Sequence, residues 1–277
     1  MEQINMRFPG GRAKALTLSY DDGVEQDVRL IEIMQKFGLK GTFNLNSGVY
    51  SPEGHVWPEG TIHRRMSRSQ SIQAYRDSEM EVAVHTVSHP FLERLPLHRC
   101  VYEVLQDRIN LEAEYGTIVR GMAYPYGTYS TEVVAVLKSC GIAYSRTTVS
   151  TEKFDIPSDW LRLPATCHHN NSRLMELAEQ FVAPDRKPKL FYLWGHSYEF
   201  ERDNNWHVIE AFAEFISGHS DIWHATNIEI YDYIDAYNRL IFSMDGKKVY
   251  NPTALHLFFE TSHGIYSVDP NKTIDLP

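Results

Sequence analysis

Ala15-Leu16-Thr17-Leu18-Ser19-Tyr20-Asp21-Asp22-Gly23 is the stretch on which the reading of this chain turns. Six residues rich in β-formers run into two acids and a glycine, the pattern of a strand that stops at a loop. Just beyond, Val28, Ile31, Ile33, Met34 and Phe37 recur at helical spacing, and Gly38 follows as a stop signal. Thr42-Phe43-Asn44-Leu45 then reads as a second strand. The alternation continues, with strands expected at 81–85, 120–124, 142–145, 161–165, 189–194 and 222–225. Helices are expected at 99–115, 131–139, 172–181, 207–217 and 228–240. In the helix at 99–115, Val101, Val104, Leu105, Ile109 and Leu111 are assigned to the buried side. About seven or eight strands separated by helices predict an α/β fold, a distorted (β/α) barrel. A doubly wound open sheet would show the same periodicity.

Two regions fall outside the alternation. Residues 47–68 hold Pro52, Gly54, Pro58 and Gly60 and read as a long loop. Within it, His63-Arg64-Arg65 with Arg68 is taken as a solvated basic cluster on the edge of a cleft. From 241 to 277 no helical pattern appears. Asp245-Gly246 between Phe242 and Val249 signals a hairpin, Leu255 to Phe259 a strand, and Tyr266-Ser267-Val268 another. The expected organisation is a barrel over 1–240 with a small β-rich extension over 241–277 packed on it.

Composition narrows the class of partner. Asp and Glu total 36 against 27 Lys and Arg, giving a net charge of -9 over 277 residues. A phosphate-tracking protein needs the opposite surplus, so nucleic acid is not expected. The three cysteines, Cys100, Cys140 and Cys167, are widely spaced and read as reduced thiols. No apolar run approaches the roughly 20 residues of a membrane span. Residues 1–15 show no apolar leader segment, so a cytoplasmic protein is expected.

Chemistry gathers at three strand ends. In parallel βα folds the C-terminal ends of the strands share one face, where reactive side chains collect. Asp21 and Asp22 stand there with alternating directions, so one can reach a metal while the other addresses a water. The same pair would also suit a helix N-cap. His85 closes the third strand and His89 lies four residues on; one helical turn between them would put both imidazoles on one face. His196 emerges beyond the buried run Leu190-Phe191-Tyr192-Leu193-Trp194, placed to donate a proton or, equally, to sit satisfied in the core.

Together Ser19-Tyr20-Asp21-Asp22-Gly23, His85-Thr86-Val87-Ser88-His89, Tyr124-Pro125-Tyr126-Gly127 and Leu193-Trp194-Gly195-His196 resemble the motifs of the polysaccharide deacetylases, the carbohydrate esterase family 4 or NodB-homology group. They occur in the family's order and span residues 15–197. The resemblance implies a seven-stranded distorted barrel. It further implies Asp21 as general base, Asp22, His85 and His89 as ligands of a divalent metal (zinc first, with cobalt or nickel as alternatives), and His196 as general acid. The backbone N–H of Tyr126, after Pro125, is implied as an oxyanion donor. The implied reaction is removal of acetyl groups from N-acetylated sugars or oligosaccharides. Hydrolysis of another amide or of O-acetyl esters is an alternative, as is a catalytically silent carbohydrate-binding protein.

The third motif departs from the family. An arginine that usually stands two residues before the proline is replaced by Ala123, and the odd offset of Arg120 points it to the other side of its strand. Arg162 is expected to supply the missing guanidinium, although a surface salt bridge would explain it too. Trp194 is a candidate sugar platform or a core residue. Asp159-Trp160 matches the Asp-Trp pair of a further family motif. Glu199 has no assigned role, and Cys167-His168-His169 looks metal-like, but three adjacent side chains rarely converge.

Overall fold

A computed structural model describes residues 4–277; the first three residues of the segment read for a leader lie outside it. Nine strands form one parallel sheet: β1 (Lys14–Asp21), β2 (Gly41–Leu45), β3 (Glu81–Val84), β4 (Gly121–Ala123), β5 (Tyr144–Ser150), β6 (Leu163–Ala165), β7 (Cys167–His168), β8 (Lys189–Gly195) and β9 (Ile222–His224). Their order is β6-β5-β4-β3-β2-β1-β8-β7, with β9 beside the first half of β1. The two ends of that path follow each other in the chain, with Thr166 between them. Thr166 donates its N–H to Tyr192 O (2.8 Å), and Tyr192 N–H returns to Thr166 Oγ1 (3.0 Å). The sheet therefore rolls up into the expected α/β barrel-like form. All eight expected strands are present, and β7 is an addition.

Every residue of β1 is buried, because its inner face looks into the barrel and its outer face is covered by helices, as parallel sheets require. The register Asp21 opposite Asn44 on β2 and Tyr20 opposite Gly195 on β8 brings three strand ends to one level. The helices are α1 (Asp27–Lys36), α2 (Arg68–Tyr75), α3 (Leu97–Tyr115), α4 (Thr131–Ser139), α5 (Leu174–Val182), the short α6 (Tyr198–Arg202), α7 (Trp206–Ser217) and α8 (Asn227–Asn238).

The buried face of α3 differs from expectation. Val104 and Leu111 are buried as read, but Val101, Leu105 and Ile109 are exposed. Their places are taken by Cys100, Glu103, Asp107 and Glu114, at helical spacing. Glu103 and Asp107 go inside because they meet backbone N–H donors at the barrel mouth, and Glu114 because it accepts from Tyr50 Oη (2.7 Å) and Arg68 Nε (2.8 Å). Asp107 accepts from Ser47 N–H (2.7 Å) and His85 N–H (3.0 Å), and Glu103 accepts from Ser88 N–H (2.9 Å).

The tail is β-structured, as expected. Ile241–Phe242 and Lys248–Tyr250 form the hairpin and Thr273–Asp275 extends it, while Leu257–Thr261 pairs with Gly264–Val268. The N-terminal strand Asn5–Arg7 pairs with Leu257–Thr261, so the two ends of the chain share a sheet across the boundary read at 240. Tyr233 of α8 donates to Arg7 O (2.6 Å) and accepts from Phe258 N–H (3.0 Å), pinning both strands to the barrel. All three cysteines are free and buried. Among the described residues, no helix is long and apolar enough to cross a membrane.

Candidate active site and metal centre

β1 ends with Asp21 inside the sheet, and the next residue turns out of it: Asp22 has φ 88. That left-handed backbone is costly for a residue with a Cβ. It is held by Asp22 N–H bonding Asn44 O (3.0 Å) and by Arg65, whose Nη2 donates to Asp22 Oδ1 (2.9 Å). Both carboxylates are buried and side by side, so neither serves as a helix cap; α1 starts five residues later.

The two histidines meet by a different route from the one expected. Residues 85–89 are not a helical turn: Thr86 has φ 70 and His89 φ 57, within an irregular loop. Positive φ is a genuine outlier for a β-branched residue. The bend is fixed by His89 N–H donating to Thr86 Oγ1 (3.1 Å) and by the two α3 acids below. Its effect is to fold His89 back over His85, with ring centroids 4.7 Å apart.

Asp22, His85 and His89 present one donor atom each, all within 4.8 Å of one another. Asp22 Oδ1 lies 3.9 Å from His85 Nε2 and 3.7 Å from His89 Nε2. His85 Nδ1 sits 2.8 Å from Ala123 O. A carbonyl only accepts, so Nδ1 carries the proton and Nε2 offers its lone pair to the centre, the usual arrangement behind a ligating imidazole. Burial pushes His85 down to about 4, which keeps that lone pair free at neutral pH. Burial opposes ionisation of Asp22, yet His63, Arg65 and the neighbouring histidines outweigh it and hold the carboxyl far below its usual range.

Asp21 faces the same space from the other side, its Oδ2 3.9 Å from both His85 Nε2 and His196 Nε2. Its other oxygen accepts from Asn44 Nδ2 (2.9 Å). Here the sequence expectation needs correction. Arg162 does not reach Asp21; its guanidinium donates to Asp159 Oδ2 (2.7 Å) on the surface, at the end of the turn Trp160–Arg162. The partner of Asp21 is Arg146 on β5, fully buried and bonded to Asp21 Oδ2. β5 is the neighbour of β4, with Arg146 in register with Ala123. The guanidinium absent from position 123 thus enters from the next strand at the same level. Burial raises the Asp21 carboxyl, but Arg146, His85 and His196 overcome it and keep the group below the ordinary carboxylate value.

Trp194 is buried and does not offer an open face to a sugar. Arg146 stacks 4.5 Å above its ring and His168 packs edge-on at 4.6 Å, so it holds the arginine in place. Asp159 accepts from Leu161 N–H (3.2 Å) and so caps its own turn, away from the centre. Pro125 is buried, and Tyr126 turns out at φ 60 with half its surface exposed. The Tyr126 ring stacks on Phe91 (3.8 Å) and stands edge-on to His89 (4.6 Å), making an aromatic wall at the mouth. Gly127 follows at φ 72, where a Cβ would sit 2.2 Å from Thr148 Oγ1.

Two residues at the centre come from the basic cluster expected to be solvated on the edge of a cleft. His63 Nε2 lies 3.2 Å from Asp22 Oδ2, and Arg65 bridges Asp22 to Asn46 Oδ1 (2.6 Å). They arrive because residues 64–66 run alongside 23–25, with Glu25 N–H on Arg64 O (2.8 Å) and Met66 N–H on Gly23 O (3.1 Å). Glu199, one turn past His196, places Oε2 3.5 Å from His196 Nδ1. Burial alone would lower His196, but Glu199, Asp21 and Asp22 raise it above the ordinary imidazole value.

A family model described as polysaccharide deacetylase matches residues 9–145, which include Asp21, Asp22, His85, His89 and Tyr126. Over that stretch, just under half of the chain, the sequence is similar to the polysaccharide deacetylase family. Its fold agrees. A Mycobacterium smegmatis protein described as a polysaccharide deacetylase is 15% identical at a TM-score of 0.62, with 86% of this chain and 96% of that one covered. A family 4 carbohydrate esterase from Streptomyces lividans, in complex with acetate, is 16% identical at 0.52, covering 77% and 93%. A mutant of a Bacillus anthracis family 4 pseudoenzyme is 16% identical at 0.52, covering 82% and 70%. At these identities the likeness to the solved deacetylase-like structures is one of fold. No curated protein matches the sequence.

Proposed function

We propose that this chain is a metal-dependent hydrolase that removes acetyl groups from N-acetylated sugars or oligosaccharides. One observation carries the reading: a carboxylate and two imidazoles converge within 4.8 Å, beside a buried ionised Asp21 and a histidine whose protonated form is favoured. An acid and a base at opposite ends of their range, flanking one space, is the arrangement acyl transfer to water requires.

The donor set suits a borderline divalent ion, zinc before cobalt or nickel, since two neutral imidazoles and one carboxylate leave a position open. Asp22, His85 and His89 would hold it, and when bound it supplies Lewis acidity toward water and the acyl oxygen. Asp21, kept ionised by Arg146, takes the proton from the attacking water. Tyr126 N–H donates to the oxygen that gains charge. As the C–N bond breaks, His196 protonates the departing nitrogen, leaving acetate and a free amine. The acidic balance of the chain suits a neutral sugar better than a polyanion.

The silent carbohydrate-binding reading draws on Ala123 and on the pseudoenzyme among the structural neighbours. Arg146 weighs against it, because the pairing lost at position 123 is restored from β5. Chelator-stripped protein, reloaded with zinc, cobalt or nickel, is to be assayed for acetate release from N-acetylated chito-oligosaccharides and from O-acetylated sugars. Metal-dependent release from the N-acetyl set, lost in Asp22→Ala, supports the proposal. Sugar binding without acetate would favour the silent reading, and release from O-acetyl substrates alone would move the activity to esters.

A further inference from the structure

Behind His196 the structure gathers a second set of donors, none of them among Asp22, His85 and His89. His168 closes β7, and the chain turns directly after it, with Asn171 N–H bonded to His168 O (2.9 Å). The turn brings two adjacent rings to one side, their centroids 4.4 Å apart. Both bring Nε2 close to a single oxygen of α6: Glu199 Oε2 lies 3.0 Å from His168 and 3.2 Å from His169. One donor atom from each of the three residues falls within 4.8 Å of the others.

These contacts are close without being well-formed hydrogen bonds. His169 is fully buried, between Tyr20 (5.7 Å) and Phe200 (4.0 Å), and neither of its ring nitrogens has a hydrogen-bond partner. The ring is held in that pose; a Cβ on Gly195 would lie 2.0 Å from its Nδ1. Buried imidazole nitrogens are normally satisfied, so an orphaned one lying beside a carboxylate without bonding to it marks a place for something else. Nitrogens near an oxygen they do not point at fit donors arranged around a shared centre. Tetrahedral bonds of about 2.0–2.2 Å put neighbouring donors about 3.3–3.6 Å apart, close to the spacing here. His168 and Glu199 each keep part of their side chain in solvent, which leaves a way in.

We propose that His168, His169 and Glu199 form a second seat for a divalent transition-metal ion, separate from the one at Asp22, His85 and His89. Two imidazoles and a carboxylate select zinc, cobalt or nickel over magnesium or calcium. Asn170 N–H donates to His168 Nδ1 (3.1 Å), which places that ring's proton on Nε2. Loading moves the proton to Nδ1 and turns the exposed Asn170 peptide away. The ion would immobilise Glu199, whose Oε2 is 3.5 Å from His196 Nδ1.

The test is metal content per chain, by elemental analysis after stripping with chelator, reloading with zinc or cobalt, and dialysis. Wild type should hold two ions, Glu199→Gln one, and His85→Ala one. The double variant should hold none. His168→Ala, at a partly exposed position, reads the same loss should Glu199→Gln fail to fold. The proposal is overturned if wild type holds a single ion that Glu199→Gln and His168→Ala both retain. It is also overturned if His85→Ala holds none. A single ion lost with Glu199→Gln but kept by His85→Ala would sustain this seat while sinking the proposed function.

Discussion

Two histidine pairs face each other across His196, and they are built in opposite ways. His85 and His89 are separated in sequence and brought together by a bent loop, with Thr86 and His89 held at positive φ. His168 and His169 are neighbours, brought together by a turn at the strand that closes the barrel. In the first pair the proton of His85 is fixed, since Ala123 O holds it on Nδ1. In the second pair, His168 holds its proton on the nitrogen a metal would need, and neither ring nitrogen of His169 has a hydrogen-bond partner. The first centre is therefore preorganised for an ion, whereas the second must rearrange to take one.

The sharpest way to separate the two is to remove the residue between them. His196→Ala should cut acetate release by about 10²–10⁴, the range expected for loss of a general acid. Metal content should stay at the wild-type value, because His196 is assigned to neither seat. A variant that loses metal along with activity would place His196 among the ligands and break the division.

The next test contrasts two arginines. Arg146 is fully buried on Asp21, and Arg162 pairs with Asp159 at the surface. Removing one partner of a buried pair leaves an uncompensated charge, so Arg146→Ala should cost about 3–5 kcal/mol of unfolding free energy. Turnover should fall with it. Arg162→Ala should stay within about 0.5 kcal/mol, as surface changes do, with turnover unchanged. Denaturant unfolding together with kcat/KM reads both. Equal effects would mean that Arg146 does not set the state of Asp21.

That contrast also shows where the sequence stops being legible. The strands, most helices and Asp21, Asp22, His85 and His196 are readable, because strand ends on a parallel sheet share a level whatever the side chains; His89 is readable from its spacing to His85, although a bent loop and not a helical turn brings it in. Arg146 was missed because a guanidinium can enter from either neighbouring strand, and only the register of Ala123 with Arg146 decides which. The buried acids of α3 were missed because hydrophobic periodicity assigns faces by apolar residues. Here the loop above supplies N–H donors that the carboxylates of Asp107 and Glu103 meet. His63 and Arg65 had a signal, the basic cluster, but nothing local to say that residues 64–66 would run beside Gly23. The convergence of His168 and His169 on Glu199 depends on the turn after His168 and on the pairing of β7 with β8, and that pairing is a long-range event.

The smallest expected effect compares the two ends of the barrel. At the mouth, Asp21 and Asp22 are held ionised by cations despite burial. Toward the opposite end, Glu81 at the start of β3 is half-buried, and among the described residues no cation pairs with it. It accepts from Tyr144 Oη (2.7 Å), Thr42 Oγ1 (2.7 Å) and Ile228 N–H (2.9 Å). Burial outweighs those bonds and pushes the group up to about 7, from 4.5. The folded state thus binds the Glu81 proton more tightly than the unfolded chain does. Its contribution to stability is complete below pH 4.5 and is lost as pH rises toward 7. Glu81→Gln carries no such proton, so the stability of wild type relative to the variant should fall across that window. The slope should reach at most about 1.4 kcal/mol per pH unit, and the difference should level off above it. Urea unfolding of metal-free protein at pH 5, 6, 7 and 8 measures the gap. A gap that stays constant across those pH values would mean that Glu81 is ionised throughout, and that burial does not separate the two ends of the barrel.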